Sequence, residues 1–66
     1  MAEIKRCITI DVNSEQEKME IGKKIHEQLV NNQDYIDSNI ILNIDYPLAV
    51  HLWIFNECEN IPEIHI

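Results

Sequence analysis

Residues 47–55 form the longest apolar stretch in the sequence, and His51 is the one residue that interrupts it. The stretch contains the only Trp and the only Phe of the chain, Trp53 and Phe55. A chain of 66 residues makes one small domain, which buries only roughly 60% of its unfolded surface. A compact fold must therefore place most of this stretch at its centre, with the other elements packed around it.

Residues 47–57 are compatible with either a helix or a strand. As a helix they would begin at Pro47, but they would be apolar nearly all round, and so small a domain cannot bury such a helix. Their aromatic and β-branched content favours a strand, which we predict to be central because both of its faces are apolar. The alternation directs Val50, Leu52 and Ile54 to one face, and His51, Trp53 and Phe55 to the other.

A further strand is predicted at residues 4–12, where apolar and polar residues alternate. Arg6 is the one polar residue on the apolar side of this pattern. The alternation places Ile4, Ile8, Ile10 and Val12 on a buried face, and Lys5, Cys7, Thr9 and Asp11 on the other.

The next segment carries the signals of a helix. Ser14 and Glu17 match a capping box, in which the Ser14 hydroxyl accepts from the Glu17 amide and the Glu17 carboxylate reaches back to Ser14. We expect Asn31 or Asn32 to end the helix in a left-handed conformation. The narrow apolar stripe of this helix, suited to packing across a sheet, consists of Ile21, Ile25 and Leu29.

The remaining segments complete the predicted fold. Residues 32–38 are predicted to form a polar connection, residues 39–44 a strand, and residues 61–66 a short edge strand or a tail. These elements predict a single small α+β domain over residues 1–66, in the order β-α-β-β with a fourth strand as an option. One helix packs on a three- or four-stranded mixed sheet, and the most apolar strand lies in the middle, which gives the spatial order 1-3-2.

Charge is unevenly distributed along the chain. All five Lys and Arg residues lie within the first 24 positions, and the formal net charge of −7 arises from residue 25 onward. This charge disfavours direct contact with nucleic acid or an anionic membrane, and it suits a basic protein partner. The N-terminus has no apolar leader, and no stretch approaches the ~18 residues of a membrane span, so we expect a cytoplasmic protein with reduced thiols.

Few residues could carry chemistry. Cys7 and Cys58 are far apart in sequence, and we interpret them as small apolar residues in or near the core rather than as a disulfide. His51, Cys58 and His65 are the best metal candidates, but they lack the close ligand pair that is typical of zinc sites. The two acids that flank Cys58 would need a dry pocket to act as paired carboxylates. With no phosphate loop or nucleophile motif either, we predict neither an enzyme nor a bound cofactor or metal.

One helix can cover only one face of the sheet, which leaves an apolar patch on the other face. We predict that this patch is a protein interface, because interfaces are rich in aromatic residues and soluble monomers seldom expose large apolar patches. An alternative is that residues 61–66 fold back over it. The predicted interface comprises His51, Trp53, Phe55 and Ile41, with Glu57, Glu59 and Glu63 as its acidic part.

These features favour a small acidic protein–protein interaction module. Such a module would bind and block, or scaffold, a larger partner, which could be basic and handle nucleic acid. One alternative is a self-associating structural homodimer that closes over the apolar patch. A further alternative is an enzyme subunit whose site is completed across a dimer. We expect a homodimer in any of these cases, because a dimer can also act as an inhibitor.

Overall fold

The computed structural model describes residues 3–66. In chain order its elements are β1 (Ile4–Asp11), α1 (Glu15–Leu29), α2 (Gln33–Ile36), β2 (Ile40–Asn43) and β3 (Ala49–Phe55). The predicted α+β order is confirmed, with the short helix α2 added between α1 and β2. Met1 and Ala2 lie outside the described residues. The predictions that include them, the domain over residues 1–66 and the N-terminus without an apolar leader, are not tested at these two positions.

β3 is the central strand of the sheet, whose order is β1-β3-β2. This confirms the predicted spatial order and the strand prediction for residues 47–57. β3 pairs antiparallel with both neighbours, so that Leu52 stands between Ile8 of β1 and Leu42 of β2. Within residues 3–66 the sheet has three strands, and residues 61–66 add no fourth. The sheet is antiparallel rather than mixed as predicted, because β1 and β2 are separated by β3, which runs antiparallel to both.

α1 begins at the predicted cap. Ser14 is extended, and its hydroxyl accepts a hydrogen bond from the Glu17 amide at 3.1 Å. The Glu17 carboxylate accepts from the amide of Asn13 at 2.9 Å rather than from that of Ser14. The second hydrogen bond of the capping box, to the Glu17 carboxylate, therefore comes from the residue before the one predicted.

The end of α1 differs from the prediction. Val30 caps the helix in a right-handed conformation. Asn32 is extended because its side chain caps α2, where it accepts from the Tyr35 amide at 3.2 Å. The left-handed conformation predicted for Asn31 or Asn32 is therefore wrong. Within the described residues that conformation falls on Ser38, with a φ of 63°, where the chain turns from α2 towards β2.

The core lies between α1 and one face of the sheet. Ile25 and Leu29 of the predicted stripe are fully buried, and Ile21 is half-buried beside them. Full burial of one such side chain contributes roughly 1.5–3 kcal/mol. The strand residues that complete this fully buried set are Ile40, Val50, Leu52 and Ile54.

Ile4 does not lie on the buried face, as the alternation predicted. The pairing of β1 with β3 shifts between Ile4 and Arg6, so that Ile4 stands opposite Phe55 and Arg6 opposite Ile54. One extra residue in a strand reverses the alternation of faces beyond it. Ile4 is 53% exposed and lies on the same side of the sheet as Phe55.

Residues 61–66 run along the helix side of the sheet. The Gln28 side chain of α1 makes two hydrogen bonds to the backbone of His65. The His65 amide donates to the Gln28 side-chain oxygen at 2.9 Å, and the Gln28 side-chain nitrogen donates to the His65 carbonyl at 2.6 Å. Ile64 packs against the core cluster. The alternative in which this segment folds back over Trp53 and Phe55 is therefore wrong, because the segment is held on the opposite side.

Candidate functional site

The side of the sheet opposite α1 carries the aromatic residues of the predicted interface. The strand register sets Trp53 between Cys7 and Ile41. We call this side the open face, and it consists of Ile4, Cys7, Thr9, Asp11, Ile41, Asn43, Ala49, His51, Trp53 and Phe55. The four apolar and aromatic residues predicted from the sequence are thus brought together on one surface.

The open face is only partly shielded from solvent. His51, Trp53 and Phe55 are half-buried, because each lies in the central strand between two neighbours. The apolar residues at its margins are more accessible, with Ile41 37% exposed and Ile4 53% exposed. Among residues 3–66, α1 and residues 61–66 both lie on the other side of the sheet, so neither covers Trp53, Phe55 or Ile41.

Tyr46 extends the open face, and sequence reasoning did not include it. Its ring centroid lies 4.5 Å from that of His51, whose ring is in turn 6.4 Å from that of Trp53. The backbone carbonyl of Tyr46 accepts a hydrogen bond at 3.1 Å from Nζ of Lys18, which is buried on α1. The available signal was an aromatic residue directly before Pro47, in the loop that leads into the central strand.

His51 carries an unusual polar atom for this surface. Within the described residues its Nδ1 is buried and has no hydrogen-bond partner. Such a group costs about 1–3 kcal/mol of desolvation when it is left unpaired. The Tyr46 ring that packs on His51 is 53% exposed.

The predicted acidic residues do not lie together. Glu57 and Glu59 are exposed in the segment that follows β3, near the Phe55 end of the open face. Glu63 lies on the helix side, where it lines a groove together with Arg6. Asp11, which was not among the predicted interface acids, does lie on the open face opposite Ala49.

Cys58 and Asp34 form a small polar cluster at the edge of the core. Burial, reinforced by the neighbouring Asp34 carboxylate, raises the pKa of the Cys58 thiol. The thiol is 2% exposed and donates to the Asn60 carbonyl at 3.1 Å. The Asn39 amide donates to Asp34 at 3.2 Å and, against the effect of burial, holds the pKa of this carboxyl below its ordinary value. A protonated, enclosed thiol is a poor nucleophile, so this cluster is structural.

The metal candidates are not brought together by the fold. His51 lies on the open face, Cys58 in the core, and His65 on the segment held by α1. In the part of the chain that the structure describes, no group of three or more His, Cys, Asp or Glu side chains is arranged to hold a metal ion. Cys58 is buried in the core as predicted, whereas the prediction for Cys7 is wrong, because its register opposite Trp53 places it exposed on the open face. Both thiols are free.

Comparisons with known proteins do not identify the chain. No family model, no curated protein and no solved structure matches it. Among residues 3–66, no helix has the length and apolar character needed to cross a membrane. The function must therefore be inferred from the surfaces of the chain itself.

Proposed function

We propose that the protein is a small protein–protein interaction module whose open face binds a larger partner protein. One observation carries the proposal: Trp53, Phe55 and Ile41 form a continuous apolar surface that no other described element covers. Burying such a surface against a partner is favourable by roughly 25 cal/mol per Å² of apolar area. Aromatic residues at the centre of a contact are also the residues that most often dominate its binding energy.

The charges around the open face favour a basic partner. Asp11 lies on the face, and Glu57 and Glu59 are exposed beyond its Phe55 end. In a chain of net charge −7, these carboxylates would attract a surface rich in Lys and Arg and would speed its association. A partner that uses such a surface to hold nucleic acid would be blocked by this contact. Glu63 is left out of this contact because it lies on the helix side.

A homodimer closed over the open face is the competing function. Its apolar centre would suit self-association, since a two-fold interface places the same patch against itself. However, a face-to-face dimer would also bring together two copies of Asp11, Glu57 and Glu59, and like charges in an interface are unfavourable. The charge distribution therefore supports a basic partner over a second copy.

The proposal is tested by partner capture from the source cells with matched variants. The Trp53→Glu chain should lose the captured protein, because it places a charge at the centre of the apolar patch. The Ile36→Glu chain is the control, since it places the same charge on an aliphatic residue that is 59% exposed on α2. Circular dichroism establishes that both variants are folded, and Ile41→Glu replaces Trp53→Glu if the latter is not.

The outcomes separate the two functions. A protein that is captured by the parent chain and by Ile36→Glu, but not by Trp53→Glu, supports a partner on the open face. Equal capture by all three chains contradicts it. Sedimentation at micromolar concentration gives the alternative its own test, since a dimer that Trp53→Glu converts to monomer assigns the open face to self-association.

A further inference from the structure

β2 is an edge strand whose outward backbone groups can be identified from the hydrogen-bond pattern. The Phe55 amide donates to the Asn39 carbonyl at 2.9 Å, immediately before β2 begins. In an antiparallel pair, the residues whose N–H and C=O groups face the partner strand alternate with residues whose groups face away. Ile41 therefore continues the ladder to β3, while Ile40 and Leu42 direct their N–H and C=O groups to the free edge.

A groove lies beside this edge, between β2 and α1. Its volume is about 280 Å³. The helix contributes residues spaced at i, i+3, i+4 and i+7, which lie on one flank of α1. Most of the lining is apolar, and Met19 in it is 52% exposed. The groove is lined by Met19, Gly22, Lys23, His26, Leu42 and Ile44.

From this arrangement we infer that an extended peptide segment of a partner binds as a fourth strand along the edge of β2. Its backbone pairs with the outward N–H and C=O groups of Ile40 and Leu42, as in other cases where a peptide extends a sheet. One of its apolar side chains enters the groove under α1. The next residue points to the opposite side of the added strand, beside the exposed side chain of Ile41.

The rim of the groove selects the charge of this peptide. Lys23 and His26 are among its six lining residues, and none of those six is acidic. A Lys ammonium beside a bound strand favours a carboxylate on the ligand and disfavours a cation there. The ligand is therefore a segment of about four to five residues with alternating apolar side chains and one Asp or Glu, matching the short edge of Ile40–Asn43.

The other edge of the sheet does not offer the same site. β1 carries Lys5 and Asp11 along its length, and its register shifts near Ile4; both charges and bulges protect edge strands from pairing. A groove also lies on the core side of β1, but residues 61–66 form one of its walls, and Arg6 and Glu63 place both signs of charge in it. β2, by contrast, has no charged residue and has the groove beside it. The inference does not rest on the proposed function, since none of the groove residues belongs to the open face and only Ile41 adjoins both the added strand and that face.

The test removes one outward N–H group at a time. Peptides are selected on the full chain from a fully randomised eight-residue display library, and the enriched peptides are synthesised as the probe. The 66-residue chain is made by chemical synthesis with an N-methyl group on the Leu42 amide, which deletes the outward donor and keeps the side chain. The control carries the N-methyl group on Thr9, whose amide faces the free edge of β1, as the Val12-to-Leu48 bond of 3.1 Å indicates.

The expected result is an affinity at least tenfold lower for N-methyl-Leu42, and unchanged for N-methyl-Thr9 and for Trp53→Glu. Gly22→Ala should also weaken binding, because its Cβ would lie 3.2 Å from Cγ2 of Ile44 and narrow the groove. Loss of binding in Trp53→Glu alone would move the peptide to the open face. Failure to enrich any peptide, or equal affinity for both N-methyl chains, overturns the inference while leaving the proposed function standing.

Discussion

On the side of β3 that α1 covers, Val50, Leu52 and Ile54 are each no more than 1% exposed, whereas His51, Trp53 and Phe55 on the other side are half-buried. Both sets come from one apolar stretch, so composition does not explain the difference. The number of covering elements does: α1 packs over β2 and β3, and residues 61–66 lie beside it. In a chain of 66 residues nothing remains among residues 3–66 for the second face.

The two faces of the sheet should therefore have different roles. The covered face supplies the stability of the domain, and its side chains interlock with those of α1. The open face has larger side chains that are only half-buried, together with a His51 ring nitrogen that has no hydrogen-bond partner among residues 3–66. Natural sequences commonly depart from local rules of stability at functional sites, and this contrast is what the open-face proposal predicts.

The largest difference between the faces should appear in stability when a large side chain is truncated. Leu52→Ala should lower the free energy of unfolding by about 2–5 kcal/mol, because Leu52 is fully buried against the α1 side of the core. The control is Ile41→Ala, on the open face and 37% exposed, which should cost less than about 1 kcal/mol. Chemical denaturation followed by circular dichroism measures both. Equal losses would mean that the open face is as much a part of the core as the covered face.

A smaller effect of opposite sign is expected at His51. Replacing it by Phe keeps a ring in the strand and removes the buried Nδ1, which has no partner within residues 3–66. His51→Phe should therefore raise the free energy of unfolding by about 1 kcal/mol. His65→Phe, on an exposed residue of the segment beside α1, is the matched control and should have little effect. A loss of stability in His51→Phe would show that Nδ1 is hydrogen-bonded in solution.

The contrast between the faces was largely predictable from the alternation of residues. That pattern assigned Leu52 and Trp53 to opposite sides of a central strand, and the capping residue Ser14 located the start of α1. The face of Ile4 was not predictable, because the alternation is interrupted at Arg6 but does not reveal that an extra residue in β1 reverses the faces beyond that point. The left-handed residue was misplaced for a related reason: Asn32 was needed as the cap of α2, a helix too short to have a sequence pattern of its own.

The features missed at the candidate site depend on how distant segments meet. Tyr46 joins the open face because Lys18 on α1 holds its carbonyl, a contact between residues 28 positions apart. Glu63 is separated from Glu57 because Gln28 holds the last segment on the helix side. The groove beside β2 exists because α1 lies over that strand. None of these contacts leaves a local pattern, so sequence reasoning could identify the apolar patch but not its margins.

The smallest of the expected effects is a change in the pH dependence of stability, and it depends on Asp34 of α2. Hydrogen bonding, chiefly from Asn39, lowers the pKa of Asp34 below its ordinary value of 3.8, so the folded state binds a proton at this carboxyl less readily than the unfolded state. The contribution to stability is thus fully present above that ordinary value and is lost as the pH falls through the lower pKa of the folded state.

Asp34→Asn should therefore flatten the fall in the free energy of unfolding between about pH 5 and pH 2, because the replaced group no longer takes up a proton on unfolding. Asp11→Asn, which removes an exposed carboxylate at the end of β1, is the matched control. The difference between each variant and the parent cancels the contributions of the other acidic groups. If Asp34→Asn and Asp11→Asn change the slope equally, the Asn39 contact does not persist in solution. A flatter profile for Asp34→Asn alone would show that the contact between Asp34 of α2 and Asn39, directly before β2, is present in solution.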